Sequence, residues 1–434
     1  MNRPESWRIK SISDLGGSGA VQTGPFGAEL HAEDYVASGV PLVLIRNIGD
    51  GEVREEGLPL ISRRDAKRLS TYALEADDIV FSRVGRVGSC FLASERHAGW
   101  IISGQLLRVR IPDGVIDKRF LLHQLLSEPI QNAINDRSVG TTRQSINTSI
   151  LEQLEVWLPS TVEQSSIAAI LDTIDEAMRS TERIIEKLGH VKQGLLHDLL
   201  TRGVDGDGEL RDPISKPEVF RAVGDLTIPE GWVTCELDSV VDPQRPVVYG
   251  ILMPGYGFPG GVPVVKVKNI KEGRINEDDL LLTNPRIDTE YRRSRVREGD
   301  LLFSIRGTVG RMAFVPRMLD GANITQDTAR IAITGANARF VAHYLQTPLA
   351  LTFVELHTLG QAVRGINLRD VRRIPLILPP RSEQDALADV LDSVDAKVQA
   401  ESQQLGKLRA LKDGLMGDLL TGRVRVTLDA EART

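Results

Sequence analysis

The chain contains very little cysteine and no long hydrophobic run. Only Cys90 and Cys235 occur in its 434 residues, and they occupy non-equivalent places in the two halves. Two such cysteines form neither a disulfide framework nor a metal site, and they are typical of a reducing cytosol. No stretch approaches the ~20 apolar residues of a membrane span, and Met1–Glu5 lacks the apolar core of a secretory signal. We therefore expect a soluble cytoplasmic protein without a membrane partner.

The sequence also lacks the short motifs of several enzyme classes. It has no Gly-x-x-x-x-Gly-Lys-Ser/Thr phosphate loop, no His-Glu-x-x-His and no Cys-x-x-Cys. Pro379-Pro380 is flanked by Leu378 and Arg381, which excludes the (Asp/Asn/Ser)-Pro-Pro-(Tyr/Phe) motif of methyltransferases. His123 and His343 occupy equivalent helix positions, and a packed, hydrogen-bonded histidine is the simpler interpretation of both. We expect no catalytic residue and no metal site in this chain.

What the sequence does contain is a long internal repeat. Gly39-Val40-Pro41-Leu42-Val43 returns as Gly261-Val262-Pro263-Val264-Val265, and Asp78-Ile79-Val80-Phe81-Ser82 returns as Asp300-Leu301-Leu302-Phe303-Ser304. Both copies are displaced by 222 positions, and later matches such as Glu163-Gln164 with Glu383-Gln384 are displaced by 220. The period is too long for a solenoid unit. It indicates a duplicated domain followed by a duplicated helix.

The repeat divides the chain into six segments. These are a first domain (1–160), a first helix (161–203), a linker (204–220), a second domain (221–380), a second helix (381–422) and a tail (423–434). Short apolar runs bounded by turn residues predict strands in each domain. One helix is expected to follow them, over 119–135 in the first copy and 339–355 in the second. We therefore predict an α+β protein, with two duplicated α/β domains separated by two long helices that form an antiparallel coiled coil.

Both helical segments carry apolar residues three or four positions apart, as a coiled-coil seam requires. A helix of ~38 residues would be ~57 Å long. Residues 161–200 and residues 381–420 each have a net charge of −3. Each helix could pack on its own domain, but so long and narrow a seam favours pairing of the two helices. The predicted seam residues are Ile167, Leu171, Ile174, Ile185, Leu188, Leu195, Leu387, Leu391, Val394, Leu405, Leu408 and Leu415.

Two basic clusters occupy equivalent places in the duplicated domains. Ser62–Arg68 and Arg286–Arg297 each have a net charge of +3, and each precedes the Phe-Ser strand of its domain. A charged run is usually only a solvated face. Repetition of the placement in both domains favours contact with nucleic-acid phosphates, which set affinity and register. The candidate residues are Arg63, Arg64, Lys67, Arg68, Arg292, Arg293 and Arg295.

Each domain also has two polar, glycine-containing loops that are candidates for contact with base edges. Ser82–Gly88 corresponds to Ser304–Gly310, and Val139–Gln144 corresponds to Leu359–Arg364. Glycine permits close backbone approach, and arginine binds guanine through two hydrogen bonds. Turn formation alone is the alternative, but a constant framework with variable tips suits two domains that read different sequences. The candidate residues are Arg83, Arg86, Thr141, Thr142, Arg143, Gln144, Arg306, Thr308, Gln361 and Arg364.

Further motifs recur along nearly the whole chain. They are Thr23-Gly24-Pro25-Phe26-Gly27, with a blurred echo near Tyr256–Gly260, then Pro229-Glu230-Gly231-Trp232, and helix ends at Gly194–Thr201 and Gly414–Thr421. In these motifs and in their duplicated order the chain resembles the specificity subunits of Type I restriction–modification systems.

The resemblance implies that two target recognition domains each read one half of a bipartite, asymmetric site on double-stranded DNA. It implies that the helices set the unread gap and dock partner proteins. It also implies that this chain has no active site and binds no cofactor. Two methylation subunits would use S-adenosylmethionine, and restriction subunits would use ATP and Mg²⁺ to translocate and cut.

Two other functions are compatible with parts of the sequence. A tandem-domain scaffold would bind protein partners through the helices without reading DNA. A nuclease or methyltransferase acting alone would bind DNA as well, but the missing motifs disfavour it. Steeply salt-dependent binding to duplex DNA would exclude the scaffold.

Overall fold

The computed structural model describes residues 4–25, 32–49, 51–138, 145–224, 226–360 and 364–426. The chain forms two compact units. One unit comprises residues 1–183 and 402–434, and the other comprises residues 184–401. Each unit thus contains one of the duplicated domains and one half of each long helix. This division cuts across the linear segments expected from the sequence, because pairing of the helices brings the start of one beside the end of the other.

The first domain is built on a four-stranded antiparallel sheet. Its strand order is Val21–Thr23, Leu106–Val109, Ile79–Ser82 and Cys90–Leu92. Successive side chains of a strand point to opposite faces, so Ile79 and Phe81 enter one core while Val80 enters another. The sheet is therefore buried on both faces.

A second sheet of the first domain has the order Tyr35–Val36, Leu60–Ile61, Val40–Val43 and Ile101–Ile102. Strand Arg8–Ser11 pairs with Glu155–Leu158. The other elements are the α-helices Ile12–Gly16, Arg63–Arg68, Lys118–Leu126, Glu128–Arg137 and Thr148–Glu152, and the 3₁₀ turns Ala32–Asp34, Ile45–Asn47, Ser70–Tyr72 and Glu95–His97.

The second domain repeats the four-stranded sheet. Its order is Val248–Tyr249, Thr328–Ile331, Leu301–Ser304 and Met312–Phe314. The register is preserved as well, since Leu301 lies opposite Ile331 just as Ile79 lies opposite Val109. The duplication seen in the sequence is therefore a duplication of strand pairing.

The remaining strands of the second domain are short. They are Phe220–Val223, Leu226–Pro229, Val233–Glu236, Val262–Val265, Ile270–Lys271, Arg274–Ile275, Leu281–Thr283, Asn323–Ile324, Thr358–Leu359, Gly365–Ile366 and Pro375–Leu378. The α-helices are Pro285–Glu290, Ala338–Tyr344, Pro348–Leu356 and Leu368–Arg372, and the 3₁₀ turns are Pro217–Val219, Leu237–Val240, Val267–Asn269, Arg292–Ser294 and Arg317–Leu319.

The single helix expected in each domain is two helices. In the first domain Ser127 separates them, and in the second Thr347 precedes Pro348 in an extended conformation. A residue before proline disfavours helical backbone angles. The hydroxyl of Thr347 then accepts a bond from the amide of Ala350 and caps the new helix. The prediction of one continuous helix was therefore wrong in both domains, and in the second domain the residue before Pro348 explains the break.

The two long helices are present and pair antiparallel within each unit. The first long helix spans Thr161–Thr201 and the second spans Arg381–Leu419. In the first unit Lys412 lies 2.6 Å from Asp175, and Arg409 lies 2.9 Å from Glu182. Residue numbers therefore increase along the first helix while those of their partners decrease along the second, as antiparallel pairing requires. None of the helices described is long and apolar enough to cross a membrane.

Each long helix also enters the core of a domain, so pairing and domain packing are both present. Ile167 and Leu171 lie in the core of the first domain, together with Leu419 at the end of the second long helix and Leu420 just after it. The second unit repeats the arrangement, and its core contains Leu196, Leu199 and Leu200 beside Leu387 and Leu391. All twelve predicted seam residues are buried or half-buried, whereas Val191 and Leu411 are about half exposed.

A glutamate whose side chain is less than a tenth exposed, in the first turn of each long helix, anchors the chain that follows the other helix. Glu383 accepts hydrogen bonds from Arg211 at 2.6 Å, from the amide of Val204 at 2.9 Å and from the indole of Trp232 at 3.2 Å. The segment after the first long helix, expected as a linker, therefore folds back on the second unit. In the first unit Glu163 binds Arg425 at 2.6 Å.

Candidate nucleic-acid interface

The polar loops lie at one edge of the four-stranded sheet in each domain. In the second domain strands Val248–Tyr249 and Leu301–Ser304 both end at this edge, and Thr328–Ile331 begins there, because neighbouring strands are antiparallel. The sheet therefore places the loops that leave and enter these strands side by side. We call this edge the loop edge.

The two loops predicted to contact bases are joined at the loop edge. The amide of Ile366 donates to the carbonyl of Ile305 at 2.9 Å, and the amide of Gly307 donates to the carbonyl of Arg364 at 2.9 Å. The first domain has the equivalent bond, from the amide of Ile146 to the carbonyl of Arg83 at 2.9 Å. Thr141, Thr142, Arg143, Gln144 and Gln361 lie outside the described residues.

A buried serine holds the shape of the first of these loops. The hydroxyl of Ser304 donates to the carbonyl of Thr308 at 2.6 Å and accepts from the amide of Arg311 at 2.7 Å. Gly307 has a φ of 74°, a conformation that strongly favours glycine. Ser82 makes the matching bond to the carbonyl of Arg86 in the first domain. This role of the serine was missed in the sequence, although its repetition was visible.

Four of the predicted base-contacting side chains are exposed at the loop edge: Arg86, Arg306, Thr308 and Arg364. Arg306 donates to the side chain of Gln326 at 3.3 Å, and Arg364 pairs with Glu355. The contacts of Arg306 and Arg364 orient their guanidinium groups without burying them. Arg83 is half-buried.

The first basic cluster lies on the short helix Arg63–Arg68. Ser62 caps this helix by accepting from the amide of Asp65 at 3.1 Å, and its hydroxyl bond to the carboxylate lowers the pKa of Asp65. The candidate side chains Arg63, Arg64, Lys67 and Arg68 are all exposed. Arg68 lies 3.4 Å from Asp65, so part of the positive charge is balanced within the helix.

In the second cluster Arg292 and Arg293 are exposed on the 3₁₀ turn Arg292–Ser294. Arg295 differs from them because its Nε lies 2.9 Å from the buried carboxylate of Asp288. This hydrogen bond raises the pKa of Arg295. Arg295 thus has a structural partner that its sequence position did not reveal.

A buried arginine in the central strand fastens each basic cluster to the sheet. Arg108 donates to the carbonyls of Thr71 and Ala73 at 3.2 and 2.9 Å, just after the first cluster. Arg330, at the equivalent position, donates to the carbonyls of Arg295 and Pro246 at 3.3 and 2.8 Å. Burial lowers the pKa of both guanidinium groups. Neither arginine was selected from the sequence.

The equivalent histidines connect each domain to its long helix. His123 lies 2.7 Å from Asp172, and His343 lies 2.7 Å from Asp392. Both rings are buried. Among the residues that the structure describes, no group of three or more His, Cys, Asp or Glu side chains could hold a metal ion.

The loop after the first strand of the sheet also has an equivalent in both domains. Gly24 follows Val21–Thr23, and Gly250 follows Val248–Tyr249. A Cβ at Gly24 would lie 2.2 Å from the carbonyl oxygen of Ser103, and one at Gly250 would lie 1.8 Å from that of Ile324, so only glycine fits. Gly250 is therefore the structural counterpart of Gly24, while Phe26 and Gly27, on which the predicted echo near Tyr256 rests, lie outside the described residues. The displacement of 226 positions instead of 222 hid this counterpart from the sequence comparison.

Comparison with known proteins agrees with this duplicated arrangement. The family model described as Type I restriction modification DNA specificity domain matches residues 4–190 and again 229–410. The Type I restriction enzyme EcoBI specificity subunit of Escherichia coli is 25% identical over 395 residues, which is 88% of this chain and 82% of that protein. The MjaVIII specificity subunit of Methanocaldococcus jannaschii is 23% identical over 332 residues, which is 75% of each chain.

Solved structures share the fold at low identity. The S subunit of a Type I restriction–modification system from M. genitalium has a TM-score of 0.58 at 16% identity, covering 96% of this chain and 97% of that one. A chain from a structure concerning assembly of the Type I R-M system has a TM-score of 0.51 at 18% identity, covering 98% and 100%. With its specificity domain present twice over most of its length, the chain belongs to the Type I restriction–modification DNA specificity family.

Proposed function

We propose that this chain is the DNA-reading subunit of a Type I restriction–modification complex. Each domain contacts one half of a bipartite, asymmetric site on double-stranded DNA through its loop edge. One observation carries the proposal: the same loop edge, with a basic cluster fastened beside the same sheet, occurs in both domains with different polar side chains at the tips. Two readers on one framework suit a site with two unlike halves.

The chemistry of the complex is assigned to partner proteins. Two methylation subunits would bind S-adenosylmethionine, and restriction subunits would bind ATP and Mg²⁺, while this chain contributes recognition without catalysis. The long helices would dock the methylation subunits and set the unread gap between the half-sites. Their net negative charge makes them poorly suited to lie along DNA phosphates, which supports a role in spacing and docking.

The test is to co-express the chain with its cognate methylation subunit and to map methylated adenines in the host DNA. We expect one bipartite, asymmetric motif with a fixed gap. Replacement of residues 221–380 by the matching domain of a relative should change one half of the motif and leave the other half intact. A soluble complex that methylates no defined motif would contradict the proposal and favour the scaffold function.

A further inference from the structure

The loop that follows strand Val248–Tyr249 exposes an unusual number of apolar side chains. Tyr249 and Leu252 are 47% and 50% exposed, Met253 is 77% exposed, and Tyr256 is completely exposed. Phe258 follows at 42%. Scattered exposed apolar residues are normal, but a contiguous run of them marks an interaction surface. We call residues 249–258 the apolar loop.

The backbone of the apolar loop is held in place on both sides of its tip. The amide of Ile251 donates to the carbonyl of Ile324 at 2.7 Å, and the amide of Phe258 donates to that of Leu282 at 2.9 Å. Between them the carbonyl of Pro254 accepts from the hydroxyl of Thr283 at 2.8 Å. The exposed side chains therefore project from a hydrogen-bonded framework.

Glycines on both sides give Tyr256 its exposure. Gly255 has a φ of 81° and Gly257 a φ of 119°, conformations that L side chains rarely adopt. A tight turn of this kind places the intervening residue at the tip. The flat ring of Tyr256 is thus presented to solvent at the end of the loop, and Met253 lies just before the turn.

Positive charge lies on two sides of the apolar loop. The 3₁₀ turn that carries Arg292 and Arg293 packs against strand Val248–Tyr249. On the other side Lys266 and Lys268 line an open cavity of about 550 Å³ together with the ring of Tyr256. Lys268 pairs with Asp279, which balances one of the four charges. Apolar side chains flanked by cations are complementary to a polyanion that also offers flat apolar faces.

The apolar loop is continuous with the loop edge. The amide of Gln326 donates to the carbonyl of Ile251 at 3.0 Å, and the side chain of the same glutamine accepts from Arg306 at 3.3 Å. A base contacted by Arg306 would therefore lie close to the apolar loop. This continuity identifies the occupant of the loop as the DNA duplex read by this domain and not as a protein partner.

We propose that Tyr256, supported by Met253, is a wedge that enters the duplex at the half-site read by the second domain and unstacks a base step there. The inference rests on the proposed DNA-reading function and adds deformation of the DNA to it. Apolar side chains inserted between base pairs kink a duplex, and an aromatic ring stacks on any exposed base. The bases at this step are then selected by how readily they unstack as well as by their edges.

The test uses the complete complex and a duplex that contains its methylation motif. 2-Aminopurine is placed in turn at each step of the half-site assigned to residues 221–380 except at the methylated adenine, because a methyltransferase takes its target base out of the stack by itself. Its fluorescence is measured at saturating protein. We expect a several-fold rise at one step with the unaltered protein and no rise with Tyr256→Ala. Tyr256→Phe keeps the ring and should keep the rise. Binding by Tyr256→Ala should be about 10-fold weaker with an unchanged salt dependence, because a stacking contact and no phosphate contact is lost.

Met318 supplies the matched control. It is 72% exposed, but it follows strand Met312–Phe314 at the opposite edge of the sheet, since Phe314 lies opposite Leu301. Met318→Ala should behave as the unaltered protein, while Met253→Ala should reduce the fluorescence rise.

The outcomes separate this inference from the function beneath it. If the complex shows no steeply salt-dependent binding to duplex DNA, the proposed function is refuted and the wedge is refuted with it. If the complex methylates its motif but the fluorescence rise is absent, or survives in Tyr256→Ala, only the wedge is refuted. Failure of Tyr256→Ala to assemble with the methylation subunit in the absence of DNA would also overturn it, because the loop would then be a protein contact.

Discussion

At the residue scale two equivalent buried arginines attach the basic clusters to the four-stranded sheets. Arg108 and Arg330 occupy equivalent positions in equivalent strands. Arg108 donates to the carbonyl of Ala73, just after the first cluster, and Arg330 donates to that of Arg295, within the second cluster. A buried carbonyl without a donor costs roughly 1–3 kcal/mol. The arginines are therefore positioning residues that link the sheet to the charged surface.

We expect Arg330→Met to lower the free energy of unfolding by roughly 1–3 kcal/mol, because it leaves the carbonyls of Pro246 and Arg295 without their donor. Arg330→Lys should not restore stability, since one ammonium cannot reproduce the planar fork. Calorimetric unfolding of both variants, with Arg108→Met as the matched change in the first domain, measures the effect. Unchanged transition temperatures in all three would show that the bonds contribute nothing.

The arginines of the second domain should divide into two functional kinds. Arg306→Ala, at the loop edge, should relax discrimination at one position of the motif and cost about 1–3 kcal/mol on the preferred sequence. Arg292→Ala, in the basic cluster, should weaken binding equally on all sequences and reduce the salt slope by about 1. Binding titrations on matched and mismatched duplexes at several salt concentrations separate the two effects. Identical behaviour of the two variants would refute the division.

At the element scale each long helix is fastened by the glutamate of its first turn. Glu383 binds Arg211, Val204 and Trp232, and the side chain of Glu383 is only 9% exposed. Gly203, which precedes Val204, has a φ of 64°, and a Cβ on it would lie 2.2 Å from the carboxylate of Glu383. The turn after the first long helix is therefore shaped around this carboxylate.

We expect Glu383→Gln to destabilise the second unit by about 3 kcal/mol, because it leaves the Arg211 guanidinium without its counter-charge in a largely buried site. The double variant Glu383→Gln with Arg211→Gln should recover part of the loss. Glu163→Gln, which removes the partner of Arg425, is the matched change in the first unit. A double variant no more stable than Glu383→Gln would contradict the assignment to an unpaired charge.

The length of the helix pair should determine the gap in the recognised site. Removal of residues 176–182 together with the facing residues 405–411 shortens both helices by about 10 Å at 1.5 Å per residue. Since base pairs are 3.4 Å apart, the preferred gap should shrink by about three base pairs. Methylation mapping detects the change, and Arg179→Ala with Arg183→Ala is a control of unaltered length. An unchanged gap in the shortened variant would refute the role of the helices as a spacer.

At the scale of the whole molecule the duplication could be predicted from the sequence and most of the fastening contacts could not. The strand Ile79–Ser82, its copy Leu301–Ser304 and the seam of the long helices follow from local periodicity and repeat spacing. The bonds of Arg108, Arg330 and Glu383 join residues tens to hundreds of positions apart, which no local pattern encodes. The helix break at Thr347 was missed because a favourable apolar pattern continues through it.

The loop edge was predictable only in part, because its repeated framework is visible in the sequence and its long-range contacts are not. The glycines, Ser82 and Ser304 were visible as a repeated framework, whereas the position of Gly250 depended on an insertion. The exposure of Tyr256 depends on bonds to Leu282, Thr283 and Ile324, which belong to other strands. Individual base contacts depend on side-chain placement of this kind, so sequence pattern alone selects the loops and not the atoms.

The contact of Arg425 with the start of the first domain bears on the connectivity of the chain. Arg425 lies 3.3 Å from the hydroxyl of Ser6 and also contacts the ring of Trp7, so the segment after the second long helix lies against the start of the first domain. In the second unit the equivalent connection is the continuous chain after the first long helix, and it contains the exposed turn Asp205–Gly208, where new ends could be placed. We expect a circularly permuted chain that begins at Gly208, with the old ends joined, to retain its methylation motif. A gene for this protein could then place either half first, since the order of the two readers along the polypeptide would be independent of the order in which the DNA is read.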